Sequence, residues 1–299
     1  NMKDIGTFDG KVKFSGSEQQ SITLNENANY PHIVVDKDGG KITFTNAITV
    51  ELFETEKSLE TVFESNVSVG TFTDKANSGT YIFNKNASFA TETIFNTTET
   101  VSFGSEENST TIFGTEDNPV NFTHTAGKIL ITGNLFANDV TLSETSINGT
   151  VNANDINCGN TTIAGNVTAN NITLAEITVV ENSKLKINET STDGKITLKG
   201  NILSTGSKTL TLNGNVDAFC SSIDLDQGTL ESNGTFTAQK DLEIDAVSTF
   251  EKNVEAKENL TINGTSTFNQ TVEVGKNLTI NGNANFANTV TTGNNLKIE

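Results

Sequence analysis

Several residue types are scarce in this chain of 299 residues, and the shortages limit the kind of hydrophobic core that it can form. There is no Trp, one Met, two Pro and two Cys, and apolar residues make up 34% of the chain. That is too little apolar material for a large round core, although regularly spaced apolar side chains can fill a thin one. Since the length also exceeds what one ordinary core needs, the composition favours an elongated repeat array.

Arginine is absent as well: all nineteen basic residues are Lys, and the net charge is −18. The chain therefore lacks the planar group that binds phosphate in a bidentate way, and its acidic surface repels nucleic acid and anionic lipid. We expect no nucleic-acid partner. No apolar run approaches the ~20 residues of a membrane-spanning helix. No apolar leader opens the sequence, which predicts a processed form, an internal fragment or a cytosolic protein.

The end of the chain repeats with a period of eighteen residues. NLTINGTSTFNQTVEVGK begins at Asn259 and NLTINGNANFANTVTTGN at Asn277, and ten of the eighteen positions are identical. Rows that begin at Asp241, Asn259, Asn277 and Asn295 align four apolar columns: Leu242, Leu260, Leu278, Leu296; Ile244, Ile262, Ile280, Ile298; Phe250, Phe268, Phe286; and Val254, Val272, Val290. Chance would not keep the apolar columns in phase, so the repeat is structural.

A second repeat, with a period of sixteen, lies upstream in rows that begin at Asn138, Asn154 and Asn170. Its aligned columns are Ile131, Ile147, Ile163; Gly133, Gly149, Gly165; and Leu135, Val151, Val167. Both repeats read apolar-Thr-apolar, then a polar stretch, then Ile or Phe, then Thr-Val. The shorter row is therefore interpreted as the longer one with two turn residues removed.

Alternation such as Leu260-Thr261-Ile262 predicts short β-strands, three to a row, because residues two apart point to the same face. A fixed period with Asn- and Gly-rich turns is typical of a solenoid whose rows stack as coils. The predicted fold class is all-β, a single-stranded parallel β-helix (β-solenoid) with coils of about 16–18 residues. No linker divides the chain, so we predict one elongated domain over residues 1–299, with irregular Phe-rich coils over 1–130 and regular coils over 131–299.

Residues 51–62, ELFETEKSLETV, have an alternative interpretation within the irregular half. Glu and Lys are good helix formers, and Leu52, Thr55, Leu59 and Val62 would share one face of a helix. A helical insertion is therefore kept beside the strand interpretation.

The two cysteines are predicted to be buried thiols. Cys158 falls in the column of Leu142 and Leu174, which makes it an inward-facing small hydrophobe. Cys220 lies about three to four coils away, on the order of 15 Å along the stack. A disulfide requires Cα atoms within about 7 Å, so the two are not expected to pair.

Metal and phosphate sites have weak signals. His32 and His124 have no second ligand at metal spacing, so we predict no zinc site and interpret both as loop residues. VDKDGGK, residues 35–41, is similar to a calcium loop but lacks the third acidic ligand and the closing Glu, so a turn is favoured. GGKITF is no phosphate loop, because Lys41 opens a strand. We predict no cofactor; weak calcium binding to the acidic surface stays open.

IDLDQG contains the best catalytic candidates, Asp224 and Asp226. On one face of a strand they would lie about 6.5 Å apart, within the range of an inverting glycosidase pair. Against catalysis, there is no Arg or Trp to hold a sugar, and only Tyr30 and Tyr81 offer hydroxylated platforms. An outward solvated face already explains the alternation. We predict that the chain is not an enzyme and has no catalytic, cofactor-binding or metal-binding residues, with a polysaccharide-processing enzyme as the alternative.

About fifteen Asn-x-Ser/Thr sequons occur. They include Asn66, Asn86, Asn96, Asn108, Asn148, Asn166, Asn171, Asn188, Asn233 and Asn263. The repeat accounts for most of them, because Asn suits turns and tolerates left-handed backbone. The columns Asn259, Asn277, Asn295 and Asn138, Asn154, Asn170 are predicted to form side-chain ladders along the stack.

NLTINGTSTF, INGTVNAND and GGKITFTNAITV resemble the passenger regions of bacterial autotransporters and filamentous-haemagglutinin-type exoproteins, over most of residues 38–299. The resemblance implies a right-handed parallel β-helix that is extracellular, on a bacterial cell surface. It implies a non-enzymatic, rod-like adhesin or structural passenger domain; a self-assembling surface-layer or filament subunit fits the same pattern. The implied partners are a host-cell or extracellular surface ligand, or further copies of the chain.

The last five residues, NLKIE, open one more row and leave it unfinished. An unfinished coil exposes an unpaired edge. We therefore expect that the natural protein runs past Glu299 or that this end docks on another subunit.

Overall fold

In a computed structural model the chain is an all-β solenoid, which confirms the predicted fold class. It makes about 15 turns, with roughly 19 residues between stacked positions. The structure describes residues 10–105 and 108–299, and these ranges contain no helix. The opening residues, on which the expectation about a leader rests, lie outside the described part.

The chain divides into two compact units, Asn1–Asn154 and Asp155–Glu299. In the first unit, the described strands are rich in Val, Ile, Thr and Phe, the residue types that fit a pleated, half-buried surface. They are β1 (Lys11–Gly16), β2 (Gln20–Ile22), β3 (Asn29–Lys37), β4 (Lys41–Phe44), β5 (Ile48–Lys57), β6 (Glu60–Phe63), β7 (Val67–Asp74), β8 (Thr80–Phe83), β9 (Ala87–Phe89), β10 (Thr93–Ile94), β11 (Thr100–Phe103), β12 (Thr110–Phe113), β13 (Phe122–Ile131), β14 (Asn134–Phe136), β15 (Asp139–Ile147) and β16 (Thr150–Asn152).

The second unit has shorter strands toward its end, where the rows are most regular. They are β17 (Asp155–Ile163), β18 (Asn166–Ala169), β19 (Asn171–Leu174), β20 (Ile177–Val179), β21 (Ser183–Ile187), β22 (Lys195–Leu198), β23 (Ile202–Ser204), β24 (Thr209–Asn213), β25 (Asn215–Ala218), β26 (Ser222–Ser232), β27 (Phe236–Ala238), β28 (Leu242–Phe250), β29 (Val254–Ala256), β30 (Leu260–Ile262), β31 (Ser266–Phe268), β32 (Val272–Val274), β33 (Leu278–Ile280), β34 (Ala284–Phe286), β35 (Val290–Thr292) and β36 (Leu296–Ile298).

The eighteen-residue rows stack in the predicted parallel register. Leu260 lies between Leu242 and Leu278, and the Ile, Phe and Val columns stack in the same way. Leu260 and Ile262 are buried, while Thr261 between them is only partly covered. Burying one such apolar side chain stabilises the fold by roughly 1.5–3 kcal/mol, so the alternation holds the row in place.

The sixteen-residue rows are confirmed within each unit. In the first unit Leu135 pairs with Val151, and in the second Cys158 pairs with Leu174. The glycine column has a steric cause: a Cβ on Gly149 would lie 2.0 Å from the carbonyl oxygen of Gly133. Stacked corners there approach too closely to admit a side chain.

Row length varies more widely than 16–18 residues. Stacked residues are 16 positions apart at Leu135 and Val151 but 28 apart at Val101 and Ile129. In the second unit, Ser183 pairs with Leu210, 27 positions on. Loops of different length leave the stacked strand positions unchanged, so the mean spacing rises to roughly 19 residues.

Phenylalanine fills the interior of the first unit, as its Phe-rich sequence predicts. One ring stack joins Phe44 to Phe63, Phe63 to Phe83, and Phe83 to Phe103, with ring centroids 5.2, 4.8 and 5.2 Å apart. These spacings follow the distance between hydrogen-bonded strands, about 4.8 Å. Parallel stacking therefore lets one ring cover the next in each row.

The helical alternative for residues 51–62 is wrong: residues 51–57 lie in β5 and residues 60–62 in β6. The four residues that would share a helical face do not share a buried one, since Leu59 is 64% exposed while Thr55 is 0% exposed. Strands β3 and β7 flank β5 and pair with its backbone on both sides. These tertiary hydrogen bonds override the local preference for helix.

Candidate functional site

Asp224 and Asp226 do not have the geometry expected of a catalytic pair on one extended strand. Asp226 has a left-handed backbone with φ of 49°, and its amide donates to Oδ1 of Asp224 at 2.9 Å. The following Gln227 is also left-handed, with φ of 61°. The strand therefore turns at Asp226, and the side chain of Asp224 caps that turn.

Tyr30 and Tyr81 are wrong as sugar platforms, because both face the interior. They are 2% and 0% exposed. Tyr81 pairs with Thr61 and Val101 in an inward column. Burial raises the pKa of Tyr81 above its usual range, with the nearby charge of Asp74 acting in the same direction. Its hydroxyl therefore serves as a fixed hydrogen-bond donor.

Asp74 is the centre of a buried polar cluster in the first unit and is 2% exposed. Its Oδ1 accepts hydrogen bonds from the hydroxyls of Tyr81 and Thr55, and its Oδ2 accepts two from backbone amides. The donors and distances are Tyr81 Oη 2.7 Å, Thr55 Oγ1 3.1 Å, Ala76 N 3.1 Å, Asn96 N 2.8 Å and Thr97 N 2.8 Å. A buried carboxylate with this many donors is well satisfied, so the cluster ties neighbouring rows together.

The loop interpretation of both histidines is wrong. His32 lies in β3 and His124 in β13, and His124 is 0% exposed. Nδ1 of His124 is 2.8 Å from the carbonyl oxygen of Phe95, so Nδ1 carries the proton and donates. Nε2 has no hydrogen-bond partner in the described part of the chain. Burial lowers the pKa of His124, against the opposing influence of the Phe95 carbonyl and Asp74.

Both cysteines are buried, as predicted, at 3% exposed for Cys158 and 1% for Cys220. They are not joined to each other. Burial raises the pKa of Cys220 to about 11. Because the thiolate is the reactive form, Cys220 is unreactive at neutral pH.

The turn predicted within residues 35–41 is shorter in the structure: residues 35–37 end β3, residues 38–40 turn, and Lys41 opens β4. Gly40 has φ of +67°, where a side chain would be strained. Asp38 Oδ1 is 2.8 Å from Nζ of Lys57, so its charge has a protein partner. In residues 10–105 and 108–299, no three His, Cys, Asp or Glu side chains are placed to hold a metal ion.

The predicted ladder of Asn259, Asn277 and Asn295 is confirmed. Nδ2 of Asn277 donates to Oδ1 of Asn259 at 2.9 Å, and Nδ2 of Asn295 to Oδ1 of Asn277 at 3.1 Å. The ladder starts at Asp241, whose Oδ1 accepts from Nδ2 of Asn259 at 2.8 Å. These residues are not left-handed; among the described asparagines, only Asn77 has a positive φ.

Side-chain hydrogen bonds also follow the stack in the sixteen-residue rows. In the first unit, Nδ2 of Asn138 donates to Oδ1 of Asn121 at 2.8 Å and Nδ2 of Asn154 to Oδ1 of Asp139 at 3.1 Å. In the second unit, Oδ1 of Asn170 accepts from Nδ2 of Asn188 at 2.9 Å. Both Asn–Asn and Asn–Asp pairs therefore connect neighbouring rows.

One face of the first unit is built from stacked strand segments that carry no charged side chain. We call it the uncharged strip and define it by six stacked strand segments: residues 48–50, 67–69, 87–89, 110–113, 134–136 and 150–152. Its central column points outward and consists of Thr49, Ser68, Ser88, Ile112, Phe136 and Asn152. On the neighbouring faces, charges are frequent: Lys13 lies 2.6 Å from Asp36, and Lys41 lies 3.0 Å from Glu60.

Two hollows lie in series along the uncharged strip and share Ile112. The first, of about 280 Å³, is lined by Thr49, Ser68 and Ser88 of the central column together with Asn66 and Asn86. The second, of about 300 Å³, is lined by Phe136 and Asn152 of the same column. Phe136 is 39% exposed. An outward aromatic ring therefore stands in a groove bordered mostly by small polar and aliphatic side chains, with Glu116 of the adjoining loop beside the second hollow.

An irregular loop over residues 114–119 borders the second hollow. The chain folds back on itself here. The amide of Val120 donates to the carbonyl oxygen of Phe113 at 3.0 Å, and the amide of Thr115 donates to the carbonyl oxygen of Asn118 at 3.1 Å. Gly114 has φ of +84°, and a Cβ there would lie 2.3 Å from the Asn118 oxygen. Only glycine fits this tight turn, so the loop has a defined shape beside Phe136.

The uncharged strip is the feature that the sequence did not reveal. Its only signal is the absence of charge at outward positions in strands such as VSV, ASF and NLF. That signal becomes visible only after the rows are aligned, and rows of 16–28 residues do not align by eye.

No family model, curated protein or solved structure matches this chain. The described part contains no apolar helix long enough to cross a bilayer. The stacked parallel strands define the class of protein, which is a β-solenoid.

Proposed function

We propose that the chain is a non-enzymatic extracellular protein of a bacterial cell surface, a rod-like adhesin or structural passenger domain. The observation that carries this proposal is that outward residues stack in columns just as inward ones do. Thr261 lies over Thr279, and Glu255 over Glu273. Such a surface repeats one chemical group at the strand spacing of about 4.8 Å, which suits extended contacts better than a pocket.

The resemblance of NLTINGTSTF and GGKITFTNAITV to autotransporter and filamentous-haemagglutinin-type passengers supports the surface location. The chain's acidity supports an extracellular role without nucleic acid, because each copy at net charge −18 repels polyanions. Its ligand is a component of a host-cell or other extracellular surface.

Attachment of beads tests the proposal directly. Beads coated with the purified chain are applied to cultured epithelial cells and to plates coated with extracellular matrix. We expect saturable attachment that soluble chain competes away. Beads carrying the chain after denaturation in urea, which unfolds every row, are the control. Equal attachment by both bead types, or none by either, would contradict an adhesive role.

A self-assembling surface-layer or filament subunit is the second candidate, because side-chain ladders such as Asn259–Asn277 repeat one contact from row to row, as a subunit of a regular array does. Electron microscopy with and without calcium separates the candidates: lattices or fibres indicate a subunit, and dispersed particles indicate the adhesin.

A polysaccharide-processing enzyme is the third candidate and has the least support, because Asp226 turns away from the extended strand. Incubation with a panel of polysaccharides decides it. Hydrolysis that the Asp224→Asn/Asp226→Asn variant loses would establish this activity and overturn the non-enzymatic proposal.

A further inference from the structure

We propose that the uncharged strip binds a neutral polysaccharide chain laid along its groove. This inference rests on the proposed adhesive function and names the class of ligand for it.

The first argument is electrostatic. The chain carries a net charge of −18, yet six consecutive stacked segments of the strip contain no Asp, Glu or Lys. An acidic ligand would find no opposite charge there, and Glu116 beside the second hollow would repel it. A neutral ligand avoids that cost, so the strip selects against acidic glycans and acidic peptides.

The second argument is the hydrogen-bonding chemistry of the first hollow. Oδ1 of Asn86 accepts from the amide of Thr110 at 2.8 Å, and Oδ1 of Asn66 accepts from the amide of Asn86 at 3.3 Å. With each oxygen engaged, the Nδ2 amino group remains to donate outward. Beside these donors lie the outward hydroxyls of Thr49 and Ser68. Fixed amides and hydroxyls are the groups that pair with sugar hydroxyls.

The third argument is the aromatic ring of Phe136 in the second hollow. Sugar rings have an apolar face of C–H groups, which packs against an exposed aromatic ring. Phe136 is 39% exposed, and it stands between Ile112 and Asn152 in the column. The combination of an apolar platform with neighbouring amides matches a ligand that is apolar on one side and hydroxylated at its edge.

The fourth argument is the arrangement of the two hollows. Their volumes of about 280 and 300 Å³ each suit a small ligand, and Ile112 lines both. A linear polymer occupies both at once, which a single small molecule does not. The loop over residues 114–119 walls the second hollow and holds the polymer beside Phe136.

Affinity electrophoresis tests the inference. The chain is run through gels containing neutral polysaccharides (laminarin, galactomannan, dextran) or acidic ones (hyaluronan, polygalacturonate). We expect retardation by at least one neutral polysaccharide and by neither acidic one. Phe136→Ser should weaken binding about tenfold. Leu203→Ser, which removes a 53% exposed leucine from the second unit, should leave it unchanged. Failure of every neutral polysaccharide to retard the chain would overturn the proposal.

Ser68→Glu is a second variant, placed at an exposed position of the first hollow. The longer side chain occupies part of the first hollow without touching the interior, so the variant should fold normally and bind more weakly. If Ser68→Glu and Phe136→Ser both fold, shown by unchanged circular dichroism, and both bind like the unmodified chain, the inference is wrong.

A second copy of the chain is the competing occupant of the strip. Sedimentation velocity of the unmodified chain and of Phe136→Ser decides it: a change in association state without a change in polysaccharide binding would overturn the inference. The bead assay separates this inference from the adhesive function. Beads that attach equally well with Phe136→Ser would refute only the ligand class, while polysaccharide binding without any attachment would refute only the adhesive role.

Discussion

At the scale of single residues, each side chain of the solenoid acts through its column as well as through its own contacts. Ile262 is 0% exposed and is covered by Ile244 on one side and Ile280 on the other. Thr261, one residue away, lies on the outer face. Neighbours in sequence therefore differ more in their importance to folding than neighbours in the stack.

Replacing Ile262 with Asp should destabilise the chain strongly, by more than about 4 kcal/mol, because an unpaired charge would be buried between two apolar layers. Thr261→Asp, on the outer face, should change stability by about 0.5 kcal/mol or less. Chemical unfolding monitored by circular dichroism measures both. Similar midpoints for the two variants would contradict the inward placement of Ile262.

His124 should make stability depend on pH. Burial lowers its pKa below the ordinary value of 6.5, so on acidification the unfolded chain takes up a proton before the folded chain does. The stability that neutral His124 contributes is therefore fully present above about pH 6.5, and it is lost as the pH drops toward the pKa of His124 in the folded chain. Urea unfolding between about pH 7.5 and 5.5 should show this decline in the unmodified chain.

The matched variant is His124→Asn, whose amide keeps a donor toward the Phe95 carbonyl. It should give a flatter profile over the same range. Carboxylates with lowered pKa, such as Asp36 and Glu56, titrate below their ordinary values of 3.8 and 4.5 and so lie outside this window. An equally steep profile in His124→Asn would show that another group is responsible.

At the scale of elements, the strands are held by what stacks on each side. Phe268 in β31 lies between Phe250 and Phe286, with centroids 5.1 and 5.0 Å away. Phe286 in β34 occupies the same column, yet it is only partly buried. One side chain type thus occurs in two environments that differ by a covering layer.

Phe268→Ala should cost about 3–5 kcal/mol, since it opens a cavity between two rings. Phe286→Ala should cost clearly less, because its ring contacts one ring instead of two. Unfolding midpoints in guanidinium measure the difference. Equal losses would show that stacking from both sides adds nothing to burial.

Strand identity could be predicted wherever stacked rows repeat the same residues, and less well elsewhere. The Leu and Ile columns of β28, β30 and β33 follow from their spacing alone. The segment 51–62 shows the opposite case, because its Glu and Lys favour helix locally while β3 and β7 hold it as strand. Its partners lie about twenty residues away in sequence, beyond any local pattern.

At the scale of the whole molecule, the regular rows are interchangeable units, because each contacts mainly the rows beside it. Residues 259–276 form one row of eighteen, the separation at which Asn277 bonds to Asn259. Without that row, Leu278 would meet Leu242 and Phe286 would meet Phe250, so every column would close again.

Deleting residues 259–276 should leave a folded solenoid with a β-sheet circular dichroism spectrum and a somewhat lower unfolding midpoint. Deleting only residues 259–267 would bring unlike positions together and should abolish cooperative unfolding of this region. If both deletions behave alike, the row is not the unit of stability.

The candidate site could not be predicted from the sequence, for a reason that belongs to the whole molecule. Ser88 and Ile112 are neighbours in the strip although 24 positions separate them, and the separation changes from row to row. Asp74 likewise meets Thr55, Asn96 and Thr97 through folding alone. A local pattern shows which residues point outward, but not which outward residues share a face.

The hydrogen bonds of the asparagine ladder in the second unit all run in one direction, from donor to acceptor. This order decides which rows a duplication of the gene can add without loss of a hydrogen bond. Asn259, Asn277 and Asn295 each donate from Nδ2 to the ladder residue before them, and the first acceptor is Asp241, whose carboxylate only accepts hydrogen bonds. If a complete row that follows Asp241 in the sequence were duplicated in tandem, the new row would have a matching donor and acceptor at both of its junctions. An acidic residue in the middle of the series would instead break the relay, so Asp belongs only at its head.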